Sequence, residues 1–148
     1  MNNFGPYAAR LAPLLPQLVL AYQRRAGDIP AALQSAGQLG QRHVGMLVML
    51  AISGPLSVSE LAQRAEMTVA HASLVVSELA KAGLVEREHD EQDRRRILVS
   101  LSDTAKPAVA EMRRRNAEPV IAFLRELEES QAEEFIGTLS LLLTHLRA

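Results

Sequence analysis

Between residues 42 and 83 apolar side chains return every three or four positions, the period of a helix with one buried stripe. Val44, Leu47, Val48 and Ala51 fall at i, i+3, i+4 and i+7, and Gly54-Pro55 ends that run. SVSE (57–60) is a capping box, in which Ser57 accepts from the Glu60 backbone and Glu60 reaches back. Behind it, Val58, Leu61, Ala62 and Ala65 form a short apolar face. Thr68 is placed to cap a further helix with the stripe Ala72, Val75, Val76 and Leu79, closed by Gly83. Two short helices this close in sequence make a helix-turn-helix pattern.

After Gly83 the period shortens to about two. LVEREH (84–89) and RILVSL (96–101) read as strands rich in β-branched and aliphatic residues. HDEQDRRRILVSLS (89–102) therefore holds the tip of a β-hairpin, where Asp90, Glu91 and Asp93 crowd against Arg94, Arg95 and Arg96.

The flanks are helical. Residues 1–40 are Leu/Ala-rich and punctuated by Pro13, Pro16 and Pro30, so they read as helical pieces with a break at GDIP (27–30). Ser102 caps a long helix to about Leu127 that Pro107 and Pro119 are expected to bend or split. SQAE (130–133) is a second capping box, opening a helix with Phe135, Leu139, Leu142, Leu143 and Leu146 on one side. That face, with Leu11, Leu14, Leu15 and Leu18, exceeds what a small lobe needs and reads as a dimer interface.

Composition narrows the chemistry. The 148 residues suffice for one domain, and with no Trp and few aromatics the core must be aliphatic. A net charge of −1 means that any affinity for nucleic acid has to come from a local basic patch. The absence of Cys removes disulfides, thiolate metal sites and thiol redox sensing. MNNFGPYAAR lacks the charged start and apolar run of an export signal, and no apolar stretch is long enough to span a bilayer, so a cytoplasmic protein is expected. His43, His71, His89 and His145 lack the spacing of a metal site. His71 is expected to face DNA and His43 to pack or cap at its helix start. No catalytic motif appears, so neither an enzyme nor a cofactor is expected.

A helix-turn-helix followed at once by a hairpin is a winged helix, in which the second helix enters the DNA major groove. An arginine at the wing tip suits the narrow, strongly negative minor groove, and it also releases counterions from phosphate. Asp93 is expected to hold such a guanidinium by bidentate hydrogen bonds.

Residues 61–106 resemble the MarR family of transcriptional regulators. The resemblance is carried by Leu61-Ala62, Leu79, Gly83-Leu84-Val85-Glu86-Arg87, Asp93-Arg94-Arg95 and Leu101-Ser102, with matching spacing. It implies a mainly α fold with one small antiparallel β-hairpin, a winged helix-turn-helix carrying N- and C-terminal dimerisation helices. Residues 1–40 and 103–148 would be the dimerisation regions and 41–102 the DNA-binding lobe, all in one structural unit. It further implies a homodimer on a palindromic operator, a repressor relieved by a small-molecule effector. Arg95 would enter the minor groove with Asp93 orienting it, and Arg94 and Arg96 would contact phosphates. Thr68, Val69, Ala70, His71, Ser73, Leu74 and Ser77 would face the DNA, a face more apolar than the family often carries. Tyr22, His43 and Met46 would line the effector site. The competing expectation is a winged-helix protein-interaction module without DNA readout.

Overall fold

The structure is a computed structural model and describes residues 3–26, 29–34 and 37–147. The N-terminal region breaks at its prolines. Helix α1 spans Gly5–Leu11, α2 Leu14–Ala26 and α3 Ala31–Gln34. Pro13 falls between α1 and α2, and Pro16 sits in the first turn of α2, where a missing N–H costs nothing. The break expected at GDIP lies partly outside the described residues, at Gly27 and Asp28.

Helix α4 (Gln41–Ser53) ends at Gly54, whose φ of +75° suits the residue without a Cβ. Its buried residues are Met46, Leu47 and Leu50, so the inward face is rotated from the expected 44/47/48/51 stripe. Residues 46–50 are all apolar, which leaves the period poorly determined there.

A short strand, β1 (Leu56–Ser57), precedes α5 (Val58–Arg64) and α6 (Val69–Lys81). Strands β2 (Val85–His89) and β3 (Ile97–Leu101) then form the hairpin. The sheet has three strands in the order β1-β3-β2, all antiparallel, where the sequence indicated two. Leu56 pairs with Val99, and His89 with Ile97. A two-residue strand has too little alternation to be read from sequence.

The core is aliphatic, as composition required. Leu47, Leu61, Ala72, Val76, Leu79, Val99 and Val109 are fully buried. The stripe Ala72, Val75, Val76 and Leu79 faces inward as the spacing indicated. Leu79→Ala is expected to cost about 2–5 kcal/mol through lost burial and a residual cavity. It would appear as a lower urea midpoint with an unchanged slope; a loss well under ~1 kcal/mol would place Leu79 outside the essential packing.

The chain divides into two compact units, residues 1–113 and 114–148. Helix α7 (Ala105–Leu124) begins in the first unit and runs through both Pro107 and Pro119 without ending at either. Pro107 is in the first turn, where no partner is lost. Ser102 caps it as expected, accepting from Ala105 N–H at 3.2 Å while donating to the Gly83 carbonyl at 2.8 Å. In the second unit α8 (Glu129–Arg147) starts one residue before Ser130. Gln131, in place of the expected Ser130–Glu133 box, accepts from the Glu128 backbone N–H at 2.9 Å. Phe123 and Phe135 meet edge to face at 5.1 Å. No residue of α8 is buried. No described helix is long and apolar enough to cross a membrane.

Candidate nucleic-acid interface

The helix-turn-helix is built by two side-chain caps. Ser57 Oγ accepts from Glu60 N at 3.2 Å, and Glu60 Oε2 accepts from Ser57 N at 2.8 Å. Thr68 Oγ1 accepts from His71 N at 3.2 Å and starts α6. Between the helices Glu66 takes φ +53°, the left-handed region, at a cost of order 1 kcal/mol. Its position in the turn, with Met67 N–H returning to the Ala62 carbonyl, redirects the chain without glycine.

With Ala72, Val75, Val76 and Leu79 turned inward, α6 presents Val69, Ala70 and Leu74 to solvent. Ser73 is half-buried beside them. Two residues expected on this surface also bond within the protein. Ser77 Oγ donates to the Ser73 carbonyl and accepts from Arg87 Nη2, both at 2.9 Å, so it ties α6 to β2. His71 lies against Arg42, whose Nη1 is 2.8 Å from Nε2 and 3.0 Å from Nδ1. No role was legible in sequence for the Arg42 side chain, and none for that of Arg87 beyond its place in the motif, because their partners are on other elements.

The wing tip turns over residues 90–96. Asp90 N–H bonds to the Arg96 carbonyl and Arg96 N–H to the Asp93 carbonyl, both at 2.9 Å. Asp93 does not clamp a guanidinium: its Oδ1 accepts from the backbone N–H of Arg95 at 3.0 Å. A short aspartate bonding two residues onward is the local turn geometry this side chain favours, and it wins over reaching a mobile guanidinium. The three arginines then separate. Arg96 pairs with Glu60 at 2.5 Å, and Asp90 is 3.9 Å away, so it anchors the wing to α5. Arg94 and Arg95 are exposed, and among the described residues no hydrogen bond or ion pair engages either guanidinium.

His43 caps and packs. Its Nδ1 accepts from Gly40 N–H at 3.1 Å, so Nε2 carries the proton and donates to Glu78 Oε2 at 2.6 Å. This joins the start of α4 to α6. Met46 is 1% exposed and belongs to the core, whereas Tyr22 on α2 is 59% exposed. Tyr22, His43 and Met46 line none of the surface pockets at Arg42–His71, Phe4–Leu14 or His89–Arg94.

Comparison with known proteins agrees with this geometry. The MarR family pattern matches residues 41–97, from the start of α4 to the first residue of β3. This segment is a MarR-family domain. It is 29% identical over 125 residues to YcgE, an HTH-type transcriptional regulator of Bacillus subtilis, covering 80% of this chain and 74% of that one. In fold it is similar to a MarR family protein from Bacillus stearothermophilus, with a TM-score of 0.72, 19% identity, and coverage of 100% and 99% of the two chains. It is also similar to NadR, solved in complex with 4-hydroxyphenylacetate, with a TM-score of 0.67, 25% identity, and coverage of 89% and 88%. MarR-family regulators bind DNA as dimers, and some bind small-molecule effectors.

In this MarR-type segment Glu60 serves the cap and the wing at once. The Arg96 hydrogen bond, then the Ser57 backbone N–H, hold its carboxyl down to about 2 from 4.5. A carboxylate depressed on folding stabilises above its unfolded pKa, and that stability is lost as pH falls through the folded value. Glu60→Gln is therefore expected to be less stable than wild type at neutral pH, by about 1 kcal/mol once exposure to solvent is allowed for. The difference should close between pH 4.5 and about 2. Urea melts across that window check it, and parallel curves for the two proteins would show that the Arg96–Glu60 pair contributes nothing.

Proposed function

We propose that the chain is a homodimeric repressor that binds a palindromic operator and is released by a small ligand. The observation that carries this is the division of labour at the wing. Arg96 is spent on fixing the hairpin to α5, while Arg94 and Arg95 extend from the tip with no partner among the described residues. Helix α6 enters the major groove, with Thr68, Val69, Ala70, Ser73 and Leu74 as its DNA-facing residues. Arg95 enters the minor groove and Arg94 contacts phosphate. Residues 1–40 and 103–148 dimerise, which the exposed apolar side chains of α2 and α8 support.

The effector acts near Tyr22, His43 and Met46. NadR with its bound 4-hydroxyphenylacetate supports a small organic ligand as the signal. His43 and Met46 lie one turn apart on α4, and His43 holds Glu78 of α6. A ligand that takes either partner would loosen the recognition helix. Half-sites stand about 34 Å apart, so a shift of that helix lowers affinity.

Fluorescence anisotropy over a salt series tests this, with the chain's own upstream region beside a random duplex. Tight, salt-dependent preference for the upstream region is expected. The apolar exposed face of α6 favours a second reading, a protein-interaction module. Weak, equal binding to both duplexes, unchanged by removal of the tip arginines, would select it.

A further inference from the structure

We infer that α6 reads thymine methyl groups, so that the operator half-site is an A·T-rich element recognised by its methyl pattern. This rests on the DNA-binding reading above. Specific reading of guanine uses Arg or Lys in the major groove, and reading of adenine uses Asn or Gln. From Thr68 to Ser77 this chain has none of the four. The polar groups that remain there are largely engaged: Thr68 caps the helix, His71 lies on Arg42, and Ser77 is held by Ser73 and Arg87. Glu78, just beyond, is bound to His43. The Ser73 hydroxyl is left, and one hydroxyl bonds to donors and acceptors alike.

What α6 does present is aliphatic. Val69 is 54% and Leu74 57% exposed, with Ala70 between them on the outward side. A helix surface left uncovered in this way gains by burying against something apolar. In the major groove the apolar feature of a base pair is the 5-methyl group of thymine. Both kinds of base pair expose polar edges that these side chains desolvate without returning a hydrogen bond, but only A·T offers a methyl contact to offset that loss, which turns the helix away from G·C pairs. Affinity comes from Arg94 and Arg95 at the wing, and selectivity from methyl contacts on α6.

Uracil differs from thymine only by lacking that methyl, which makes the inference testable atom by atom. A duplex library with a randomised centre is selected on the wild-type protein. The enriched duplex is then remade with single thymine-to-uracil replacements, and affinities are measured by anisotropy. Each contacted methyl is expected to account for roughly a four-fold loss, the equivalent of ~0.8 kcal/mol for one buried carbon. Leu74→Ala should make at least one of those positions insensitive to uracil while keeping the salt-dependent part of binding. Leu74 is exposed, so the variant should melt with wild type; Leu74→Met, which retains an apolar side chain, should retain the sensitivity. A defined site whose affinity ignores every uracil, or one centred on G·C pairs, overturns methyl reading and leaves the DNA-binding reading standing. No enrichment of any sequence, with feeble salt-independent binding, removes both.

Discussion

Replacing Arg94 and Arg95 together by alanine is expected to weaken binding to the selected duplex by about 10³-fold at physiological salt. Each phosphate neutralised contributes ~0.9 to the slope of log affinity against log salt. Two arginines on each of two protomers account for a slope of about 3 to 4. Extrapolated from 1 M to about 0.15 M salt, four such contacts amount to roughly three decades, or ~4 kcal/mol. Both side chains are exposed and unpaired among the described residues, so their removal should leave the melting temperature unchanged. The loss should shrink as salt rises, because it is a counterion term. A variant that keeps wild-type affinity and slope would reduce the tip to a solvated turn.

The second large effect concerns assembly. On α8, Phe135, Leu139, Leu142, Leu143 and Leu146 recur at helical spacing, and none is buried within the chain. An exposed apolar stripe of this size marks a contact surface. Leu139→Glu with Leu143→Glu would place two carboxylates per protomer in that contact, each costing several kcal/mol if left unpaired away from water. Sedimentation equilibrium is expected to show a dimer for wild type and a monomer for the double variant. DNA affinity should fall with it, since a monomer offers one lobe to a two-half-site operator. Neither position belongs to the core of residues 1–113, so the helix-turn-helix should stay folded by circular dichroism. A double variant that remains dimeric would put the interface elsewhere.

How far the sequence could be read follows the range of each interaction. Helix α6 was legible to the residue: its stripe has one apolar period, and its Thr68 cap bonds only three positions away. The Ser57–Glu60 box is equally local. Where local signals compete, the sequence is ambiguous. Around Met46–Leu50 several apolar stripes overlap, and at the start of α8 Gln131 satisfied the backbone in place of the Ser130 box. Asp93 had a turn-forming use in its own signal, and that short-range bond displaced the longer one expected of it.

From residue order alone came the winged helix-turn-helix, its caps, its aliphatic core and the concentration of arginine at the wing tip. These depend on periodicity and on bonds spanning a few residues, which any path of the remaining chain leaves intact. The tertiary structure decided which of those arginines has work inside the protein. Arg96 meets Glu60, Arg87 meets Ser77, His71 meets Arg42 and His43 meets Glu78 because the fold returns distant segments to the same place. Side chains of one type, adjacent in sequence, therefore differ in role, because a charge pairs with whatever the packed core brings within reach.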